Sequence, residues 1–287
     1  MKHTAAIGLT SLLLLSACST EDSTALDEET VETMTEGESE EENQTSEDTS
    51  EAEETAEKAE QDEESETVQE EVRVEKLYEL NDVNWSVQPI GDANPQVALL
   101  TIDDAPDKHG VEMARTLKDL DAKAIFFVNG HFLDTPEEEE MLKEIHELGF
   151  PIGNHTYSHP NLGDISEEEQ REEIVSLSDR IEEIIGERPK YFRAPFGANT
   201  DFSKQVAMEE GMLLMNWTYG YDWEADYQNA DSLSDIMVNT EYLSNGANLL
   251  MHDRSWTNEA LPAIVSGLRE KGYEILDPAA IKGSEVE

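Results

Sequence analysis

The chain has 287 residues, of which 67 are acidic and 19 are basic, so its formal net charge at pH 7 is −48. Nucleic acid and anionic lipid are disfavoured as direct partners, because binding either of them requires a positive face. The charge suits a neutral or weakly cationic substrate, or a salty or alkaline environment in which screening weakens self-repulsion.

The first eighteen residues have the features of an export signal. A positive start at Lys2 precedes an apolar run from Ala5 to Leu15 that is too short to span a bilayer. Leu15-Ser16-Ala17-Cys18 follows and resembles the bacterial lipobox, in which the signal is cleaved before a cysteine that is then acylated. We therefore expect residues 1–17 to be a lipoprotein signal peptide, with Cys18 anchoring the chain to the outer face of the bacterial cell membrane. The alternative is an ordinary cleaved signal with an incidental cysteine.

Residues 18–75 are predicted to form a disordered linker. Between Glu21 and Glu70 there are 23 acidic residues and one lysine, with no aromatic residue and no proline. Such a segment cannot bury enough apolar surface to offset the entropy lost on ordering, and its like charges extend the chain. We interpret it as a tether that holds the following domain away from the membrane. A metal-binding or docking tail is less favoured, because acidic runs are usually only solvated.

Residues 76–287 predict one domain in which strands and helices alternate. Apolar runs predict strands at 97–102, 124–128, 151–154, 191–193, 212–217, 248–251 and 273–276. Helical spacing predicts helices at 109–120, 136–148, 166–186, 201–210, 232–243 and 258–271. Pro136 stands at a first-turn position, and Ser166 with Glu169 has the spacing of a capping box.

About seven strand–helix units in alternation are typical of an α/β fold with a parallel sheet and covering helices. Polar residues follow almost every predicted strand. Active sites of closed parallel barrels form at the C-terminal ends of several strands, whereas an open doubly wound sheet gathers its site at one switch point. The pattern therefore favours a barrel that lacks one of the usual eight units.

Five short polar motifs stand where predicted strands end. They are Thr101-Ile102-Asp103-Asp104, His155-Thr156-Tyr157-Ser158-His159, Arg193-Ala194-Pro195-Phe196, Asp222-Trp223 and Leu250-Met251-His252. Each motif alone also has a structural explanation, such as a turn, an ion pair or a buried side chain. Their joint occurrence at strand ends favours a metal-assisted hydrolytic site.

The residue types at these ends suit one divalent cation. One aspartate and two histidines on neighbouring strand ends can form a three-ligand site with an open position. Adjacent strand residues point to opposite sides, so Asp103 and Asp104 are not expected to act as the facing pair of a glycosidase. Instead, one of the two carboxylates can bind the metal while the other acts on the nucleophile. A zinc protease is disfavoured because Thr156, and not glutamate, follows His155.

From about Val97 to Leu276, these motifs resemble those of the polysaccharide deacetylases of carbohydrate esterase family 4, which contain the NodB-homology domain. The resemblance implies a distorted (β/α)7 barrel that removes N-acetyl groups from a glycan. It also implies a role for each motif residue. The metal ligands would be Asp104, His155 and His159. The catalytic base would be Asp103, paired with Arg193, and the catalytic acid would be His252, whose acidity Asp222 adjusts. Trp223 and Leu250 would form the walls of the acetyl pocket, and the Phe196 backbone amide would donate a hydrogen bond to the oxyanion.

Two departures from the family pattern concern loops around the site. Ala105 precedes Pro106 where the family usually has glycine, and Thr218 to Tyr221 lacks an acidic residue that the family often carries. These departures bear on loop shape and substrate selection, since every residue of the metal triad and the acid–base pair is present.

The expected substrate is a cell-envelope glycan, in particular the amino sugars of peptidoglycan. Two imidazoles and a carboxylate suit Zn²⁺, with Co²⁺, Mn²⁺ or Ni²⁺ as alternatives. Two other functions stay open at this point: an inactive glycan- or wall-binding lipoprotein that retains the fold, and a hydrolase of another amide or ester. The sequence leaves the preferred amino sugar, the native metal and the oligomeric state open.

Overall fold

The computed structural model describes residues 74–283. The strands are β1 (Tyr78–Leu80), β2 (Val87–Pro89), β3 (Val97–Ala105), β4 (Ile125–Val128), β5 (Ile152–Asn154), β6 (Tyr191–Phe192), β7 (Leu213–Leu214), β8 (Ala247–His252) and β9 (Glu274–Ile275). The α-helices are α1 (Gly110–Asp119), α2 (Pro136–Glu147), α3 (Glu167–Ile185), α4 (Asp201–Glu209), α5 (Ala230–Asn239) and α6 (Ser255–Glu270).

Strands β3 to β9 form one parallel sheet that curls into a half-barrel covered by helices. Its order is β7-β6-β5-β4-β3-β8, and β9 pairs with the start of β3. The segment after β7 reaches β8, where the Thr218 amide donates to the Asn248 carbonyl at 2.8 Å and the Leu250 amide donates to the Tyr219 carbonyl at 2.9 Å. The predicted α/β class and the distorted (β/α)7 barrel are confirmed.

Strand β3 lies at the centre of the sheet and is buried on both faces, which explains its nearly continuous apolar sequence. Ala98, Leu100 and Ile102 pack under the helices, whereas Val97 and Leu99 join the apolar interior of the half-barrel. The interior face of β3 becomes polar toward its C-terminal end. That polarity change places the functional groups at the C-terminal edge of the sheet.

The hairpin of β1 and β2 packs on the N-terminal end of the half-barrel. Tyr78 and Val87 of this hairpin belong to the same apolar cluster as Val97 of β3. Gly246 has a φ of 74°, and a Cβ at that position would lie 1.9 Å from the Val87 carbonyl oxygen. The hairpin and the start of β8 can therefore approach this closely only with glycine there.

Most helix boundaries lie within one residue of those predicted, but α5 begins two residues and α6 three residues earlier than expected. Capping boxes are present at Thr135 and Ser166, and α3 ends before Gly186, which has a φ of 77°. The predicted helix over 232–243 was too long at its C-terminal end, because Thr240 is extended. The predicted strand over 212–217 is reduced to β7, and the residues beyond it form polar contacts below the cleft instead.

Predictions about the N-terminal segments fall outside the described part of the chain. These concern the signal peptide, the Cys18 anchor and the acidic run between Glu21 and Glu70. None of the helices between residues 74 and 283 combines the length and apolar character that crossing a bilayer requires.

Candidate active site

A cleft of about 520 Å³ opens at the C-terminal end of the parallel strands. Its lining consists of Asp103, Asp104, His155, His159, Phe196, Trp217, Asp222, Trp223, Leu250, His252 and Arg254. Nine of the ten residues predicted within the domain line this cleft, and the tenth, Arg193, is buried against Asp103. The sheet therefore brings all five motifs to one place.

Three of these side chains converge in the manner of a metal site. One potential ligand atom from each of Asp104, His155 and His159 lies within 4.8 Å of the other two. Oδ1 of Asp104 is 3.6 Å from Nε2 of His159 and 4.0 Å from Nε2 of His155. Two imidazole nitrogens and one carboxylate oxygen fit a first-row divalent cation with open coordination positions.

The imidazole of His155 is oriented by the main chain. Its Nδ1 donates a hydrogen bond to the Arg193 carbonyl at 2.7 Å, and a carbonyl can only accept. In the neutral ring, Nε2 then carries the lone pair that a metal requires. Burial, with a smaller contribution from His155, lowers the pKa of His159. The neutral form that binds metal is therefore favoured at His159.

Four residues around the cleft have left-handed backbones although none is glycine. The φ values are 61° at Asp104, 67° at Thr156, and 60° at both His159 and Phe196. Such conformations cost about 1–3 kcal/mol each and persist where the surroundings enforce them. Their concentration here indicates a functional site.

The backbone at Asp104 overturns one expectation from strand geometry. Alternation along β3 was expected to point Asp103 and Asp104 to opposite sides, but both carboxylates line the same cleft. The pairing of β3 with β4 shifts register between Ile102 and Ala105, and Asp104 has a positive φ. This irregularity breaks the alternation and brings the two carboxylates together.

The loop that carries the two histidines is held by buried amides. The Asn129 side chain donates to the carbonyls of His155 and Thr156 at 2.7 and 3.2 Å. The Asn154 side chain accepts from the Thr156 amide at 2.9 Å, and Glu173 accepts from the Ser158 amide at 2.7 Å. These bonds hold the strained loop in the geometry that the triad needs.

Asp103 is paired with a fully buried arginine. Nη1 of Arg193 donates to Oδ1 of Asp103 at 2.6 Å and to the Thr101 hydroxyl at 2.8 Å. Nη2 donates to the Asn216 carbonyl at 2.9 Å, and the guanidinium lies 4.2 Å from the centre of the Phe127 ring. Burial lowers the pKa of Arg193, but arginine keeps its proton in proteins. Asp103 therefore faces a permanent positive charge at ion-pair distance.

His252 is paired with a buried aspartate. Its Nδ1 lies 2.7 Å from Oδ1 of Asp222, whose Oδ2 accepts from the His252 amide at 2.6 Å and from the Thr257 hydroxyl at 2.8 Å. Burial acts to lower the pKa of His252, but the hydrogen bond and charge of Asp222 outweigh burial and raise it. This pairing leaves Nε2 of His252 as the nitrogen available for proton transfer.

Apolar side chains complete the cleft. The Trp223 ring stands edge-on to the His252 ring, with 5.5 Å between centroids, and Leu250 is buried beside it. The Phe196 ring lies 4.9 Å from the His159 ring and is 68% exposed. A small apolar group such as a methyl could be accommodated between these walls and the polar centre.

Sequence reasoning missed two residues that line the cleft. Trp217 follows β7, where the sequence predicted a continuous strand. Arg254 was not among the predicted site residues, but its Nη2 donates to Oδ2 of Asp104 at 2.9 Å. The signal that could have found Arg254 is its position two residues after His252, where β8 ends.

Comparison with known proteins agrees with this geometry. The family model described as polysaccharide deacetylase matches residues 90–215. A peptidoglycan-N-acetylglucosamine deacetylase from Bacillus cereus is 32% identical over 188 residues, which cover 62% of this chain and 68% of that protein. The chain belongs to the polysaccharide deacetylase family.

Other members of the polysaccharide deacetylase family are matched over only part of their length. A second Bacillus cereus peptidoglycan-N-acetylglucosamine deacetylase is 29% identical over 63% of this chain and 66% of its own length. The Bacillus subtilis peptidoglycan-N-acetylmuramic acid deacetylase PdaC is 31% identical over 64% of this chain and 38% of its own length. This chain thus spans about two thirds or less of these two relatives.

Solved structures of the family have the same fold. The match to the structure of Bacillus subtilis PdaC covers 64% of this chain and 89% of the PdaC chain, with a TM-score of 0.56 and 29% identity. A family pseudoenzyme from Bacillus anthracis covers 66% of this chain and 67% of its own, with a TM-score of 0.58 and 29% identity. The family fold therefore occurs both in deacetylases and in a protein described as a pseudoenzyme.

Proposed function

We propose that this chain is a metal-dependent N-deacetylase that acts on cell-envelope polysaccharide, with the amino sugars of peptidoglycan as substrate. The observation that carries the proposal is the convergence of a three-donor cluster, a buried Asp103–Arg193 pair and a buried His252–Asp222 pair on one cleft. Hydrolysis of an acetamide needs an activated water, stabilisation of an oxyanion and a proton for the leaving amine. The cleft contains a group suited to each task.

Asp104, His155 and His159 would hold the cation, with Zn²⁺ as the first choice and Co²⁺, Mn²⁺ or Ni²⁺ as alternatives. A cation at this position supplies a Lewis acid that polarises the acetyl carbonyl and increases the acidity of water. Trp223 and Leu250, which line the same cleft, would form the walls that face the acetyl methyl.

The proton transfers are assigned to the two remaining pairs. Asp103, held by its ion pair with Arg193, accepts the proton of the attacking water. The backbone amide of Phe196 donates to the developing oxyanion, and His252, kept protonated by Asp222, delivers a proton to the departing nitrogen. Each positioned acid or base contributes roughly a hundredfold to ten-thousandfold in rate.

Acetate release from N-acetylated glycan oligomers tests this assignment. Asp103→Asn and His252→Ala should each lower the rate about a hundredfold or more, and a chelator should abolish a release that added Zn²⁺ restores. Asp119→Asn and His146→Ala are matched controls, because both residues lie outside the cleft, and they should leave the rate unchanged. Release that survives both cleft substitutions would refute the catalytic assignment.

A second candidate is a glycan-binding protein without turnover, which the similarity to a family pseudoenzyme supports. It predicts that the chain sediments with insoluble peptidoglycan while no acetate appears. The presence of every group that the mechanism requires favours the enzyme.

We also propose that residues 1–17 are a cleaved lipoprotein signal, that Cys18 carries the membrane anchor and that residues 18–75 tether a catalytic domain formed by residues 76–287. The short apolar run, the lipobox-like segment and the acidic composition support this arrangement. Metabolic labelling with a fatty-acid analogue should mark the native chain and not Cys18→Ala. Equal labelling of both chains would refute the anchor.

A further inference from the structure

Arg254 lies at the rim of the cleft and contacts a proposed metal ligand. Its Nη2 donates to Oδ2 of Asp104 at 2.9 Å, and its Nη1 donates to the carbonyl of Asp253 at 2.8 Å. We propose that Arg254 is a positioning residue that reserves a single oxygen of Asp104 for the divalent cation. The inference rests on the proposed metal-dependent function, but metal binding can test it separately from acetate release.

The two oxygens of the Asp104 carboxylate have different surroundings. Oδ1 faces the imidazoles of His155 and His159, at 4.0 and 3.6 Å, whereas Oδ2 accepts the hydrogen bond from Arg254. A carboxylate with two free oxygens can bind a cation through either one or both of them. Because Arg254 occupies Oδ2, Asp104 offers one donor atom toward the imidazoles.

This restriction matters for the reaction. With one oxygen from Asp104 and one nitrogen from each histidine, the protein contributes three donor atoms. Catalytic zinc sites combine three protein ligands with an open position, whereas structural sites are closed by four. Arg254 thus preserves the coordination position that the acetamide and the attacking water require.

The main chain around Arg254 is itself held in place. The buried Asp253 carboxylate accepts hydrogen bonds from the backbone amides of four successive residues, 107–110, at 2.7 to 3.2 Å. Arg254 follows Asp253 directly and also donates to the Asp253 carbonyl. The guanidinium is therefore preorganised by the loop that follows Asp104, as expected of a residue that orients a ligand.

The positive charge of Arg254 acts against metal binding, because a guanidinium repels a divalent cation. The Arg254 side chain is 37% exposed, so water screens this repulsion, and exposed charge pairs change an equilibrium by only about twofold to fivefold. Loss of a residue that orients a metal ligand weakens metal binding by about tenfold to a hundredfold. Orientation therefore outweighs repulsion, and removal of Arg254 should weaken binding.

Zn²⁺ affinity of the full chain, measured by competition with a chromophoric chelator, tests this proposal. Arg254→Met should bind Zn²⁺ about tenfold to a hundredfold more weakly than the native chain, and Arg254→Lys should lie between the two. The visible absorption spectrum of the Co²⁺-loaded chain adds a geometric readout. Its intensity should fall in Arg254→Met, because a second oxygen from Asp104 raises the coordination number, and it should recover in part in Arg254→Lys.

Arg115→Met is the matched control. Arg115 also bonds to a carboxylate, that of Glu144 at 2.6 and 2.8 Å, but on the outer surface, and its substitution should leave affinity and spectrum unchanged. If Arg254→Met fails to fold, as judged by thermal unfolding of the metal-free chain, Arg254→Lys carries the test through its smaller loss of affinity and its altered spectrum.

Two outcomes would overturn the proposal. Unchanged Zn²⁺ affinity and an unchanged Co²⁺ spectrum in Arg254→Met would show that Arg254 acts elsewhere, for example on an anionic group of the substrate. Tighter Zn²⁺ binding in Arg254→Met would show that the guanidinium competes with the cation. If the native chain binds neither ion, the proposed metal site itself is wrong, and this result is distinguishable from a failure of the Arg254 proposal alone.

Discussion

Removal of the buried arginine beneath the cleft should destabilise the domain strongly. The side chains of Arg193 and Asp103 are 0% and 3% exposed, and their ion pair measures 2.6 Å. Arg193→Met leaves the Asp103 carboxylate buried without its cation, a change that typically costs about 3–5 kcal/mol of unfolding free energy. For a domain of this size, each kcal/mol lowers the melting temperature by about 2–4 °C, so a decrease of about 6–20 °C is expected.

A double-mutant cycle separates the charge effect from the loss of packing. Asp103→Asn leaves Arg193 as the unpaired buried charge, whereas the double variant contains neither charge. The double variant should therefore be more stable than the sum of the two single losses implies, with a coupling of about 1–3 kcal/mol. Urea unfolding of the full chain with chelator present, followed by circular dichroism, measures all four proteins without a contribution from bound metal.

An exposed ion pair provides the control for this cycle. Arg171 bonds to Glu209 at 2.7 Å with both side chains about 40% exposed, and Arg171→Met should cost less than about 1 kcal/mol. Two results would refute the argument that Arg193 and Asp103 act as one energetic unit. One is a loss of unfolding free energy below about 1 kcal/mol in Arg193→Met, and the other is a double variant whose loss equals the sum of the two single losses within about 0.5 kcal/mol.

Three further predictions address the acid, the acetyl wall and a helix start. Asp222→Asn removes the charge that raises the pKa of His252, so His252 should lose its proton at a lower pH. The alkaline limb of the kcat/KM profile should therefore move to lower pH. An unchanged limb would contradict this role of Asp222. Gly220→Ala places a Cβ 2.4 Å from the Leu250 carbonyl oxygen, and it should cost about 1–3 kcal/mol in urea unfolding and slow acetate release. Thr135→Ala removes the capping box of α2 and should cost about 1 kcal/mol while acetate release stays at the native rate.

Local patterns were sufficient for most of the elements and for nine of the eleven residues that line the cleft. The apolar run over 97–102 predicted a strand, and signals at Ser166 and Pro136 predicted helix starts, all of which the structure confirms. Because parallel strands end at a common edge, polar residues after several strands could be assigned to one site without knowledge of any contact.

The exceptions arise where the chain departs from regular geometry. The alternation rule was wrong at Asp104, because its left-handed backbone depends on contacts with residues far away in sequence. Arg254 lies 150 positions from Asp104, and no periodic pattern links the two. Residue spacing along the chain therefore identified the strands, the helices and the groups that meet at the cleft. The tertiary structure alone establishes which oxygen of Asp104 faces the imidazoles of His155 and His159. The reason is that the direction of a side chain on a strained backbone is set by the residues packed around it, and these come from distant segments of the chain.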